Sequence, residues 1–129
     1  MEFIKQPILC VEDDEDNLEV MKYLFESENF DVTACDNLED CLRQVKNNRF
    51  SAIVLDYYMG NQNSLEVCEE IRSHSCKTPI IFYSGEARKA EIQKAMEHCA
   101  DAFLVKPMDF SKLTETVNKL IEESQSTWK

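Results

Sequence analysis

Short, mostly apolar runs alternate with stretches whose apolar residues recur at helical spacing, and this alternation predicts repeated strand–helix units. The predicted strands are Ile8–Val11, Asp31–Ala34, Ala52–Leu55, a run that follows Pro79, and Ala102–Val105. The predicted helices start near Asp16–Asn17, near Asn37 and near Ser64, followed by two helices over about Glu86–His98 and Asp109–Glu123. Four of the strands are continuously apolar, which is typical of a parallel sheet covered on both faces. We therefore predict a flavodoxin-like, doubly wound α/β fold with five helices and strand order 2-1-3-4-5.

Polar side chains follow four of these strands, at the point where each strand ends. Glu12 and Asp13 follow the first strand and Asp56 follows the third, while Ser84 and Lys106 follow the last two. In an open parallel sheet, ligands bind at the carboxyl ends of the strands. The sequence therefore predicts one site that combines carboxylates, a hydroxyl and an ammonium group.

Composition narrows the classes of partner. The length of 129 residues indicates one domain over residues 1–129. The formal charge of −11 disfavours direct binding to nucleic acid, because phosphate groups are bound by clustered basic residues. The longest apolar runs are much shorter than a membrane span, so we expect a cytoplasmic protein without membrane contact. The excess of acidic over basic residues favours binding of a cation or of a basic partner.

Three carboxylates at one sheet edge repel one another unless a cation compensates them, and Mg²⁺ suits a site with few carboxylates. Asp56 holds the central position, so it is the candidate nucleophile for a phosphoryl group. Lys106 would offset the charge on that group, and the Ser84 hydroxyl would donate a hydrogen bond to it. Each residue also has an ordinary interpretation: Lys106 as a loop lysine, Ser84–Gly85 as a turn, and Asp14 as a helix cap.

Taken together, these residues resemble the receiver domain of response regulators in two-component signalling, in the family's order and spacing. The resemblance covers essentially the whole chain and implies that Asp56 accepts phosphate from a histidine kinase or a histidine phosphotransfer protein. It implies Mg²⁺ bound by Glu12, Asp13, Asp56 and the backbone carbonyl of Tyr58. It also implies a switch made of Ser84 and Phe103, which alters the surface of helix four, strand five and helix five for an output protein.

Four positions depart from the usual pattern of that family. Gly60 stands where proline is usual and Ser64 where glycine is usual, so the loop after the third strand has an unpredicted geometry. Glu12 replaces the commoner aspartate, and Phe103 replaces tyrosine but keeps the ring. We expect no effector domain within these residues, so the chain is either a stand-alone receiver or one cut from a longer protein, and the resemblance favours output through protein contacts or a phosphorelay.

Two other functions can be built on such a fold. One is an aspartyl-phosphate phosphatase or phosphotransferase, which in the haloacid-dehalogenase type needs an acid two residues after the nucleophile, where Tyr58 stands. The other is a flavin-binding module, whose phosphate the acidic run 12–16 would repel. Both are disfavoured, and the protein is predicted not to be an enzyme beyond catalysing its own phosphorylation and dephosphorylation.

Six cysteines lack metal-ligand spacing, and several occupy apolar positions of the predicted elements. We predict that they are free thiols packed as small apolar side chains in a reducing compartment, and this interpretation is favoured over the alternative of a metal cluster or a redox switch.

Overall fold

The computed structural model describes residues 5–60, 62–74, 77–85 and 88–126. Its strands are β1 Pro7–Val11, β2 Asp31–Cys35, β3 Ala52–Leu55, β4 Tyr58–Met59, β5 Gln62–Asn63, β6 Ile80–Ser84 and β7 Ala102–Val105. Its helices are α1 Glu15–Ser27, α2 Leu38–Asn47, α3 Leu65–His74, α4 Lys89–His98 and α5 Leu113–Ser126, with a 3₁₀ turn at Phe110–Lys112. None of the helices in these ranges has the length and apolar character needed to cross a membrane.

The main sheet contains five parallel strands in the order β2-β1-β3-β6-β7. This is the predicted flavodoxin-like order, because β6 and β7 are the fourth and fifth of the predicted strands. β3 lies at the centre of the sheet, so residue 56, which follows it, emerges between the ends of β1 and β6. The predicted fold class is confirmed.

Separate apolar layers cover the two faces of the sheet. One contains Leu9, Ile53 and Phe82 with residues of α2, α3 and α4, and the other contains Ile8 and Val54 with residues of α1 and α5. Because alternate strand residues point to opposite faces, continuous apolar runs supply both layers. The prediction of full burial is wrong for β7, whose four residues are only half-buried, since it is an edge strand paired on one side alone.

The helix starts follow from capping. The Asp14 carboxylate accepts a hydrogen bond from the Asn17 amide at 3.1 Å and starts α1. This agrees with the ordinary interpretation of Asp14 as a helix cap, and α1 begins at Glu15, one residue before the predicted start near Asp16. α2 begins at Leu38, next to the predicted start at Asn37, and the Asn37 side chain caps it. The start predicted for α4, Glu86, lies outside the described residues, and that helix is seen from Lys89.

The cysteine prediction is wrong for one pair. Cys68 of α3 and Cys99, which follows α4, form a disulfide with their Cα atoms 6.1 Å apart. Their separation of 31 residues hides this proximity in the sequence, and only the packing of α3 beside the end of α4 creates it. Cys10, Cys35 and Cys41 are buried free thiols, as predicted. Cys76 lies outside the described residues.

Candidate functional site

The three predicted carboxylates meet at the carboxyl edge of the sheet. Glu12, Asp13 and Asp56 each place an oxygen within 4.8 Å of the others. Glu12 and Asp56 are buried, whereas Asp13 is exposed. The backbone fixes this convergence, because the Glu12 amide bonds to Cys35 of β2 and the Asp56 amide bonds to Val11 of β1. The site has hard oxygen donors open to solvent on one side, which fits a partly hydrated Mg²⁺ ion.

Lys106 brings a positive charge to these carboxylates. Its Nζ contacts a Glu12 carboxylate oxygen and lies 3.2 Å from Asp56 Oδ2. The Lys106 amide also donates to the Ser84 carbonyl at 2.9 Å, and the Lys106–Pro107 peptide bond is cis. Lys106 Nζ also lies 5.6 Å from the centre of the Tyr83 ring. The ammonium group is therefore held over the candidate nucleophile by the edge of the sheet.

Burial and pairing set the protonation of these groups. Burial raises the pKa of Glu12, hydrogen bonding to Asp56 raises it further, and the Lys106 contact opposes both effects. Burial acts to lower the pKa of Lys106, but hydrogen bonding to Glu12 and the charge of Asp56 outweigh it and raise that pKa. Lys106 is therefore a fixed cation at neutral pH.

The loop after β3 explains two of the departures from the family pattern. Gly60 has a φ of 63°, and its amide donates to Asp13 Oδ2 at 3.0 Å. Proline can satisfy neither requirement, because its ring fixes a negative φ and it has no N–H. Ser64 is buried, and its hydroxyl donates to the Asp56 carbonyl at 2.5 Å. Serine at this position thus helps to fix the residue that carries the candidate nucleophile.

The same loop contains a small structure that the sequence pattern did not indicate. β4 and β5 pair as an antiparallel hairpin, with Tyr58 opposite Asn63 and Met59 opposite Gln62. The Tyr58 amide donates to Asp56 Oδ1 at 3.2 Å, and its hydroxyl contacts the Glu91 carboxylate of α4. Glu91 was missed by sequence reasoning, since nothing in its helix distinguishes it from other surface acids. The contact connects the acidic site directly to α4.

The two predicted switch residues lie on neighbouring strands. Ser84 ends β6 and is buried, and it pairs in register with Val105 of β7. Phe103 is half-buried on β7, with its ring centre 5.8 Å from the rings of Tyr57 and Phe82. These aromatic side chains form a continuous layer from the loop after Asp56 to the outer strand. The predicted residues are therefore assembled in one region, although Phe103 contacts no carboxylate among the interactions described.

A separate cavity lies away from this site. It has a volume of about 590 Å³ and lies at the amino-terminal edge of the sheet, where Lys46, Arg49 and Lys77 line it. It includes none of the carboxylates, the hydroxyl or the ammonium group described above.

Comparison with known proteins agrees with this geometry. The response regulator receiver domain family model matches residues 8–118. Response regulator ArlR of Staphylococcus saprophyticus is 29% identical over 114 residues, which cover 88% of this chain and 51% of that protein. The nisin biosynthesis regulatory protein NisR of Lactococcus lactis is 30% identical over 118 residues, covering 92% and 51% respectively. The chain thus spans about half the length of these curated relatives.

Solved structures show the same fold. A CheY-like receiver domain protein from Methanospirillum hungatei has a TM-score of 0.90 and 22% identity, covering 96% of this chain and 99% of that chain. The response regulator TrrA of Thermotoga maritima, solved in complex with Mg²⁺-BeF, has a TM-score of 0.78 and 27% identity, covering 89% and 98%. With the family model covering most of its length, this chain belongs to the response regulator receiver domain family.

Proposed function

We propose that Asp56 is the phosphoacceptor of this receiver domain and takes its phosphoryl group from a phosphohistidine on a histidine kinase or a phosphotransfer protein. The observation that supports this most strongly is the placement of Asp56. Its carboxylate is nearly buried at the end of the central strand, 3.2 Å from Lys106 Nζ and beside Glu12 and Asp13. Glu12 is also buried and contacts Lys106, but it follows β1, whereas Asp56 follows the central strand β3.

The reaction follows from these contacts. An Asp56 oxygen attacks phosphorus, the bond from phosphorus to the donor nitrogen breaks, and the imidazole leaves with the electron pair. Lys106 holds positive charge beside the nucleophile, and Ser84 lies at the adjacent strand end to donate to a phosphoryl oxygen. Glu12, Asp13, Asp56 and the Tyr58 carbonyl are the proposed ligands of Mg²⁺, which supplies charge neutralisation on the phosphoryl oxygens when bound.

The proposed output surface consists of α4, β7 and α5. Glu91 of α4 contacts Tyr58 beside the acidic site, and Phe103 of β7 packs against Tyr57. Exposed Met96 and Met108 give this side apolar area for a partner. We propose that phosphorylation draws Ser84 toward the new anion and turns Phe103 inward, which changes this surface for an output protein. A cytoplasmic location, one domain over residues 1–129 and output through protein contacts are parts of the same proposal.

Nothing in the site favours the aspartyl-phosphate enzyme over the receiver. An enzyme of the haloacid-dehalogenase type would need an acid at residue 58, and Tyr58 instead directs its hydroxyl to Glu91. We therefore retain self-catalysed phosphorylation and dephosphorylation as the extent of the proposed chemistry.

The test is phosphorylation by acetyl phosphate with Mg²⁺, followed by intact mass spectrometry. The parent protein should gain one phosphoryl group, and Asp56→Asn should gain none, because an amide is a poor nucleophile. Asp31→Asn is the matched control, since Asp31 is an exposed aspartate at the start of β2. Full labelling of Asp56→Asn would refute the assignment.

A further inference from the structure

The disulfide joins two parts of the fold that flank the proposed output surface. Cys68 lies one turn before Arg72 in α3, and Cys99 follows the last residue of α4. Their Cα separation of 6.1 Å lies within the range that a disulfide spans without backbone movement. The link therefore fits the packing that the apolar core already imposes.

Hydrogen bonds hold the same two segments together without the disulfide. Arg72 donates from Nε and Nη2 to the Cys99 carbonyl, at 3.1 and 2.9 Å. Arg72 also pairs with Asp101, whose carboxylate accepts from the Ile80 amide at 2.9 Å. The Cys99 amide in turn donates to Ala95 in the last turn of α4. Reduction of the disulfide therefore leaves the two sulfur atoms close together, so that the bond can form again.

The other described cysteines are buried free thiols whose pKa values are raised. Burial raises the pKa of Cys10 and Cys41 to about 12, and that of Cys35 to about 11, so these groups remain protonated and unreactive. Cys99 is 9% exposed, whereas Cys68 is fully buried. Within the pair Cys99 is the more exposed residue, which makes it the first of the two to meet an oxidant, and Cys68 beside it completes the exchange.

We propose that Cys68 and Cys99 form a reversible redox site that controls how far α4 responds to phosphorylation. The Cys99 thiolate attacks a low-molecular-weight disulfide and expels one thiol. The Cys68 thiolate then attacks the Cys99 sulfur and expels the second thiol. Two protein thiols are oxidised, one small disulfide is reduced to two thiols, and the protons pass from the protein thiols to the released thiols.

The consequence for output follows from the packing. Cys68, Cys99 and Ala95 belong to the same apolar layer as Tyr57 and Phe82. A covalent link at the end of α4 adds a constraint that the reduced protein lacks, so α4 shifts less when the site beside Tyr58 changes. This inference rests on the proposed function, since it requires Asp56 phosphorylation to act through α4. In a reducing compartment, disulfides are usually transient or redox-sensing, which fits a reversible pair.

The experiment compares reduced protein with protein oxidised by glutathione disulfide. Intact mass and thiol counting establish the redox state, and intact mass after acetyl phosphate and Mg²⁺ establishes phosphorylation. Amide hydrogen exchange then measures the change in α4 caused by phosphorylation. We expect equal phosphorylation in both states and a severalfold smaller change of exchange in α4 after oxidation.

Three variants make the comparison specific. Cys68→Ser and Cys99→Ser should each respond like the reduced parent under oxidising conditions, and using both protects against misfolding of one. Cys35→Ser is the control, because Cys35 is a buried free thiol near the end of β2, and it should keep the redox effect.

The possible outcomes distinguish failure of the proposed function from failure of the redox inference. If neither redox state is phosphorylated, the proposed function fails and this inference fails with it. If both are phosphorylated and α4 responds equally, only the redox inference is overturned. A stable glutathione adduct on Cys99 without loss of the second thiol would overturn it as well, because the pair would not close.

Discussion

Replacing Lys106 with methionine should destabilise the metal-free protein at neutral pH. Methionine keeps most of the apolar stem and leaves little cavity, so the change isolates the charge. Lys106 is the cation paired with both Glu12 and Asp56, whose side chains are 1% and 9% exposed. Without it, two nearly buried carboxylates face each other with no compensating charge.

The size of the effect has an upper limit. Breaking a buried ion pair from one side typically costs about 3–5 kcal/mol. However, Glu12 can lose its charge by binding a proton, which removes the repulsion from Asp56. From the ordinary pKa of 4.5, this protonation costs about 3.4 kcal/mol at pH 7. Because burial already raises the pKa of Glu12 in the parent, protonating this carboxylate in the folded protein costs less than that value. We therefore expect a loss of about 2–3 kcal/mol at pH 7.

The pH dependence tests the cause. Folding raises the pKa of Glu12, so above the ordinary value the folded state binds more protons and its stability falls as pH rises. Loss of Lys106 raises the pKa of Glu12 further, so the stability of the variant falls more steeply as pH rises. At pH 5 protonation of Glu12 costs only about 0.7 kcal/mol. The difference in free energy of unfolding between variant and parent should therefore shrink to below about 1 kcal/mol.

Urea denaturation at several pH values, with a chelator present, measures these quantities. Lys112→Met is the control, because Lys112 is a 64% exposed lysine paired with Asp109 at 3.4 Å and should cost less than about 0.5 kcal/mol. Added Mg²⁺ should raise the stability of Lys106→Met more than that of the parent, since the cation replaces the missing charge. Equal stability of Lys106→Met and parent across this pH range would refute the assigned role of the ammonium group.

Three further predictions concern the loop, the disulfide and the phosphate. Ser64→Ala should cost about 1–2 kcal/mol in urea denaturation, because the buried Asp56 carbonyl loses its hydroxyl donor, and an unchanged midpoint would contradict that contact. Reduction of the disulfide, which closes a loop of 31 residues, should lower the free energy of unfolding by about 3–4 kcal/mol, and Cys68→Ser should be insensitive to reductant. Tyr58→Asn should shorten the lifetime of the phosphorylated form by opening the path for water, whereas Tyr58→Phe should keep most of it. Phosphate loss after donor removal measures this, and an equal or slower loss in Tyr58→Asn would show that the ring does not shield the phosphate.

The sequence by itself determined the sheet and which polar residues lie at its carboxyl edge. Apolar runs such as Ala52–Leu55 are too short for helices and fit strands covered on both faces, and short strands joined by helices favour one economical order. Polar residues that directly follow those strands must then share the carboxyl edge. Asp56, Ser84 and Lys106 were predictable for this reason, because the position of each depends on the strand immediately before it.

Tertiary structure decided the contacts between segments that are remote in the chain. The Cys68–Cys99 bond depends on how α3 packs beside the end of α4, and the Tyr58 contact depends on where Glu91 lies on α4. The donation from Gly60 to Asp13 depends on a left-handed residue in a hairpin that no apolar periodicity indicates. Local pattern reports which face a residue buries, whereas the partner it meets there is set by the packing of whole elements.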